Sequence, residues 1–317
     1  MKIAMIGSGA AGSVFACYLR LGGAELYLVD RYAAHLEKAA GEGMTFVTPE
    51  GERLITGFHT AGSAAELPEM DLVILMVKAT QNDDVMPDVM KCVGPETVLV
   101  SLQNGLGNDD TLSKYVPRSR IMYGAGVIGT ELRCPGVCAA RPEQGVIMFF
   151  GAAERSELTH RAGQALEACF NAGGCSAVFE EDVRPRLWKK AIANSGYNTV
   201  SALLRLKVGQ TLSDPRGERL VRAVWQEGCA VAQAAGVGDL RPALEAEFAN
   251  VASGLADYYP SMAQDAMHHR QTEISVLNGA LVRLGQRYGV PTPVNQALTW
   301  QMECIQANYA NQYSDPA

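Results

Sequence analysis

The stretch MKIAMIGSGAAGSVFACYLRLGGAELYLVD, residues 1–30, decides the fold. Lys2–Ile6 is a short apolar run of the kind buried in a parallel sheet, and Gly7-x-Gly9-x-x-Gly12 leads from it into a helical pattern over Ala10–Leu21. Glu25–Val29 predicts a second strand, which Asp30 closes. In a strand–turn–helix–strand unit of this spacing, Gly7 permits the tight turn and Gly9 lets a pyrophosphate approach the backbone. Gly12 allows close helix–strand packing, and the helix N-terminus offers unpaired N–H groups and positive dipole to the phosphates. Gly7, Ser8, Gly9, Ala10, Ala11 and Gly12 are therefore the expected cofactor loop, and the expected ligand is a nicotinamide or flavin dinucleotide.

A chain of 317 residues exceeds what one core comfortably serves, so two domains are expected. Hydrophobic residues make up 48% and charged residues 19%, ordinary for a globular protein in water. The net charge of −7, with no basic run, argues against nucleic acid as a partner. The longest clean apolar run, Leu72–Val77, is far too short to span a bilayer, so no membrane partner is expected. The apolar start carries one leading basic residue, Lys2, and is broken by three glycines, unlike a secretory signal. Eight scattered cysteines, with only Cys134 and Cys138 close together, suggest reduced thiols, no metal site and a cytoplasmic location.

Short apolar strands alternate with helical patterns over residues 1–180, which predicts an N-terminal Rossmann-type doubly wound sheet in an α/β protein. Met44–Val47 and Leu54–Thr56 read as a hairpin around Pro49-Glu50-Gly51. Glu180, Glu181, Asp182 and Pro185 mark a boundary, and residues 181–317 read as an all-helical domain. Candidate helices there are Leu187–Leu206, Asp214–Ala235, Arg241–Ala256, Met262–His268, Glu273–Tyr288 and Asn295–Tyr309. A ligand cleft is expected between the domains. The helical domain also offers a surface for a homodimer.

Several side chains stand out chemically. Asp30 would bond an adenosine ribose 2′-hydroxyl and repel a 2′-phosphate, which favours NAD(H), whereas the adjacent Arg31 would pair with that phosphate and favour NADP(H). Electrostatics alone lean towards NADH. Lys190, Asn194 and Asn198 recur every fourth residue and so share one helical face. Lys190 is either a solvated helix charge or, flanked by Ala191, Ile192 and Ala193, a partly desolvated proton donor. Lys189 points elsewhere and reads as surface. Ser261 is either the N-cap of a helix that Gln264 completes as a capping box, or a ligand group. Glu273 lies in an apolar, helix-forming stretch and needs a partner such as a lysine. Lys78 and Asn104 each follow a strand at the end where ligands of open α/β sheets bind. The five histidines suggest no relay, and His268 and His269 read as surface.

These pieces in this order resemble the ketopantoate reductase family. The likeness spans nearly the whole chain: the glycine loop, Val77-Lys78, Gln103-Asn104-Gly105, Trp188-x-Lys190-x-x-x-Asn194-x-x-x-Asn198, Ser261-Met262-x-Gln264-Asp265 and Thr272-Glu273-Ile274. The resemblance implies hydride transfer from a nicotinamide to the ketone of a small-molecule 2-oxo acid, here ketopantoate to (R)-pantoate in pantothenate and coenzyme A biosynthesis. It implies Lys190 as general acid and Glu273 as its acidic partner, with Asn194, Asn198 and Ser261 binding substrate. Lys78 and Asn104 would line the nicotinamide end, and Asn104 would also meet substrate. The family implies NADP(H), with Arg31 at the phosphate; Asp30 departs from that pattern and leaves NAD(H) open. An NAD-dependent D-2-hydroxy-acid dehydrogenase of the same family, acting on branched or aromatic 2-oxo acids, is the nearest rival. A non-catalytic dinucleotide sensor is the rival from another class.

Overall fold

The computed structural model describes residues 1–142, 145, 147–254 and 257–312. The chain divides into two compact units, Met1–Gln103 with Asn108–Val183, and Asn104–Gly107 with Arg184–Ala317. The first unit runs β1 (Lys2–Ile6), α1 (Ala10–Leu21), β2 (Glu25–Val29), α2 (Ala33–Gly41), β3 (Met44–Thr48), β4 (Gly51–Ile55), β5 (Phe58–Ala61) and β6 (Met70–Leu75). It continues through α3 (Asn82–Val89), β7 (Val93–Ser101), α4 (Asn108–Leu112), β8 (Ile121–Gly126), β9 (Ile128–Cys134), β10 (Val137–Pro142), β11 (Met148–Ala152), α5 (Glu157–Ala172) and β12 (Ala177–Phe179).

Eight strands form the main sheet in the order β12-β11-β8-β7-β6-β1-β2-β5. The six from β8 to β5 pair in parallel, and only β11 runs antiparallel to its neighbour β8. Side chains alternate between the two faces, so each strand feeds two cores. Ile3, Met5, Leu26, Leu28, Leu72 and Ile74 meet Val14, Phe15 and Leu19 of α1 and Leu166 and Phe170 of α5 on one face. Ala4, Ile6, Val73, Leu75 and Leu99 meet Met86 and Val89 of α3 and Leu112 of α4 on the other. Burial on both faces explains why these strands read as continuous apolar runs rather than alternating ones. Each fully buried aliphatic side chain contributes about 1.5–3 kcal/mol.

The predicted hairpin is β3–β4, and it joins β10 and β9 in a second sheet of order β4-β3-β10-β9. The sequence gives no warning of β5 and β9. Both are edge strands; β5 has four residues, and β9 (IGTELRC, residues 128–134) is exposed or half-buried throughout, so neither has an apolar signal.

The second unit is helical: α6 (Arg184–Leu204), α7 (Val208–Ser213), α8 (Pro215–Ala234), α9 (Arg241–Gly254), α10 (Ser261–Met267), α11 (Asn278–Tyr288) and α12 (Pro293–Ala307). Asp214 caps α8 by accepting the Arg216 N–H at 2.8 Å, and Pro215 occupies its first turn. The central helix is α6. A buried polar network anchors it: Asn278 Nδ2 donates to the Ser195 carbonyl and to Asn295 Oδ1, both at 3.0 Å, while Thr199 Oγ1 donates to Asn278 Oδ1 at 2.6 Å. Asn295 Nδ2 continues to Glu227 Oε2 at 2.7 Å, tying α6, α8, α11 and α12 together.

Two expectations fail here. The predicted helix Glu273–Tyr288 is broken: a single tight turn spans Ile274–Val276, Leu277 takes φ −101° and ψ −98°, and α11 starts at Asn278. The Val276 carbonyl, which a continuous helix would give to residue 280, instead accepts the Leu106 N–H at 3.0 Å. The capping box at Ser261 is also absent. Pro260 is the N-cap residue, no side chain caps α10, and Gln264 Nε2 donates to the Tyr259 carbonyl at 2.9 Å.

Candidate active site

In the first unit the glycine loop joins β1 to α1 at the C-terminal end of the central strand. A Cβ on Gly12 would lie 2.0 Å from the Gly7 carbonyl oxygen, so only glycine fits this approach. Over Gly9 the space is open, with nothing within 4 Å of an added Cβ. No side chain caps α1. Its first N–H groups, including those of Ala10 and Ala11, therefore remain for an external acceptor, as a pyrophosphate cradle requires. Asp30 Oδ2 accepts the Ser8 N–H at 2.7 Å and Ser8 Oγ at 3.2 Å, and Oδ1 accepts the Tyr32 N–H at 3.0 Å. Arg31 is exposed, just ahead of α2. Lys78 follows β6 half-buried, at the head of a one-turn 3-10 segment, Ala79–Gln81.

The turn before Lys78 is held by residues that the sequence reading did not single out for this. Gln103 Nε2 donates to the Val77 carbonyl and to Asn82 Oδ1, both at 2.7 Å, and Asn82 Nδ2 returns a bond to Gln103 Oε1 at 3.2 Å. This reciprocal amide pair is buried and satisfied. A Gln directly before the Asn-Gly turn was its only trace in the sequence.

In the second unit, three predicted residues come together. Lys190 Nζ donates to Asn104 Oδ1 at 2.6 Å, and Asn104 Nδ2 donates to Glu273 Oε2 at 3.1 Å. The segment Asn104–Gly107 is placed by the Leu106–Val276 hydrogen bond and by Gly105, whose φ of +96° and 2.4 Å approach of an added Cβ to the Val276 carbonyl admit only glycine. Lys190 is carried by α6 beside buried Leu187, Ala191 and Ile192. Desolvation lowers its pKa from the usual 10.5 to about 8, while the Glu273 charge acts in the opposite sense. The ammonium is thus protonated at neutral pH yet gives up its proton far more readily than a solvated lysine. Its neighbour Lys189 pairs with Glu247 at 2.7 Å.

One and two turns further along the same face, Asn194 is half-buried and Asn198 is buried. Asn198 Oδ1 is the one buried side-chain oxygen or nitrogen among the described residues without a hydrogen-bond partner. A native interior rarely leaves such a group unsatisfied, so this oxygen is suited to an external donor such as a substrate hydroxyl. Ser261 is exposed at the start of α10 and has no contact with this group in the hydrogen bonds described. Among the described residues no cluster of His, Cys, Asp and Glu could hold a metal ion, and no helix is long and apolar enough to cross a membrane.

Residues 3–153 match the family described as "Ketopantoate reductase PanE/ApbA", and residues 182–306 match its C-terminal family. A curated 2-dehydropantoate 2-reductase of Pyrobaculum aerophilum is 32% identical over 298 residues, covering 93% of this chain and 94% of that protein. One from Streptococcus pyogenes is 29% identical over 303 residues, covering 94% and 96%. Among solved structures, a D-mandelate dehydrogenase with NADH and anilino(oxo)acetate superposes with a TM-score of 0.87 at 26% identity, covering 98% of this chain and 100% of that one.

Proposed function

The chain belongs to the ketopantoate reductase family, and from that premise we propose that it is an NAD(P)H-dependent oxidoreductase that reduces 2-dehydropantoate to (R)-pantoate. The observation that carries this reading is the Lys190–Asn104–Glu273 group on the unit that also bears Asn194 and Asn198. A reduced nicotinamide, when bound, supplies hydride to the ketone carbon. The chain's own residues then handle charge and position. Lys190 faces the oxygen that becomes an alkoxide, stabilises it and transfers its proton to it. Asn104 aims that ammonium, and Glu273 keeps it protonated near neutral pH. Asn198 Oδ1 takes a hydroxyl of the substrate, Asn194 a second polar group, and Ser261 the carboxylate. Gly7, Ser8, Gly9, Ala10, Ala11 and Gly12 hold the pyrophosphate, and Lys78 lines the nicotinamide end. Asp30 favours NADH over NADPH by repelling a 2′-phosphate, with Arg31 as the counterweight. Free thiols at all eight cysteines fit a cytoplasmic setting.

A second reading has its own support. Asp30, together with the likeness to an NADH-bound D-mandelate dehydrogenase, favours an NAD-dependent D-2-hydroxy-acid dehydrogenase acting on branched or aromatic 2-oxo acids. One matrix separates the readings: ketopantoate, 2-oxoisovalerate and phenylglyoxylate, each with NADH and NADPH, followed by nucleotide absorbance. Highest kcat/KM with ketopantoate supports the first, and highest with phenylglyoxylate supports the second. Cofactor binding without oxidation by any of them refutes ketopantoate as the substrate and points to another 2-oxo acid or to a sensor.

A further inference from the structure

Beneath the glycine loop runs a chain of hydrogen bonds that the catalytic account does not use. His35 of α2 and Ser13 of α1 are both 0% exposed. The Gly136 N–H donates to His35 Nδ1 at 3.0 Å, so the ring proton sits on Nε2. Nε2–H then donates to Ser13 Oγ at 3.1 Å, and Ser13 Oγ–H donates to the Ser8 carbonyl at 2.7 Å. Every donor points the same way, from the β9–β10 turn to the loop, an arrangement in which hydrogen bonds reinforce one another. Burial pushes the His35 pKa below its ordinary value, against the opposing pull of Asp30, in keeping with a neutral ring.

The geometry at Ser8 gives this chain a consequence. Asp30 fixes the Ser8 N–H from one side while Ser13 fixes its carbonyl from the other. The Ser8–Gly9 peptide is trans and planar, so its C=O and N–H point in opposite directions. Tethering the carbonyl inward to Ser13 turns the Gly9 N–H to the opposite side of that peptide, away from Ser13.

We infer that His35 is a positioning residue for dinucleotide binding: through Ser13 it sets the Ser8–Gly9 peptide so that the Gly9 N–H meets the pyrophosphate. This rests on the dinucleotide reading above. The test uses the full chain and titrates NADH by its fluorescence, beside kcat and the 2-oxo acid KM. Ser13→Ala removes one oxygen and keeps the packing. It raises the Kd for NADH about three- to tenfold, the effect of one hydrogen bond, and leaves kcat at saturating NADH and the 2-oxo acid KM within about twofold.

His35→Gln and His35→Asn divide the two ends of the relay. A glutamine amide reaches the place of Nε2 and can donate to Ser13, whereas an asparagine reaches only the place of Nδ1. The relay therefore predicts that Gln restores NADH affinity to within about twofold and that Asn binds as weakly as Ser13→Ala. If His35 merely braced the β9–β10 turn, Asn would bind better than Gln. That reversal, or an unchanged Kd in Ser13→Ala beside a wild type that binds NADH, overturns the inference. A wild type that binds neither NADH nor NADPH overturns the dinucleotide reading itself, and this inference with it.

Discussion

Lys190 and Glu273 are joined through a single amide: Asn104 accepts from the ammonium at 2.6 Å and donates to the carboxylate at 3.1 Å. Eighty-six residues of chain separate Lys190 from Asn104, and 169 separate Asn104 from Glu273. The arrangement gives a lysine whose proton is loosened by burial and partly retained by a nearby negative charge.

The pH dependence of the reaction follows from that balance. With Lys190 as the proposed proton donor, reduction needs the protonated ammonium, so kcat/KM for the 2-oxo acid is expected to fall as pH rises through about 8. Glu273→Gln removes the charge that raises the lysine pKa, so the alkaline limb moves to lower pH. Initial-rate profiles check this, and a limb that stays in place or moves upward contradicts it.

Asn104→Asp shifts the same limb the other way. It sets a carboxylate at hydrogen-bond distance from Lys190, which favours the charged form and raises its pKa. The alkaline limb then lies above that of the wild type, and the maximal rate drops because a stronger base is a poorer acid. A profile identical to the wild type would show that Asn104 does not control the lysine.

Asn198 separates binding from stability. Its unpaired buried oxygen is a burden of about 1–3 kcal/mol in the free protein. Asn198→Leu, similar in size, leaves the melting temperature equal or higher while raising the 2-oxo acid KM about tenfold or more. Calorimetry and steady-state kinetics together decide; a lower Tm with an unchanged KM contradicts a substrate role.

The proposed preference for NADH rests on the Asp30 charge. Asp30→Asn keeps an oxygen to accept the Ser8 N–H but removes the negative charge. The NADPH/NADH ratio of kcat/KM rises about tenfold, the scale of one charge-assisted interaction. An unchanged ratio means that the carboxylate serves the loop alone.

The legible parts of this chain are those written locally. The β1–α1–β2 unit shows in strand length, glycine spacing and a closing acid, and the shared face of Lys190, Asn194 and Asn198 follows from helical periodicity. What escaped depends on partners distant in sequence. Glu273 reads as helical until Leu106 takes the Val276 carbonyl, and Ser261 reads as a cap until Pro260 occupies that position. His35 looks like any polar residue on α2, and only the structure shows that it turns inward with Leu36 and Ala39. The roles of Lys78, Ser261 and Asn104 came from family resemblance, because a single polar residue after a strand or before a helix has no distinctive local pattern.

The most direct test of the central claim is the turnover of Lys190→Ala with ketopantoate and saturating NADH or NADPH, measured beside the Kd for each nucleotide. Proton donation by Lys190 predicts a fall in kcat of about 10²–10⁴-fold with nucleotide Kd values unchanged within about twofold. Turnover close to that of the wild type would contradict it.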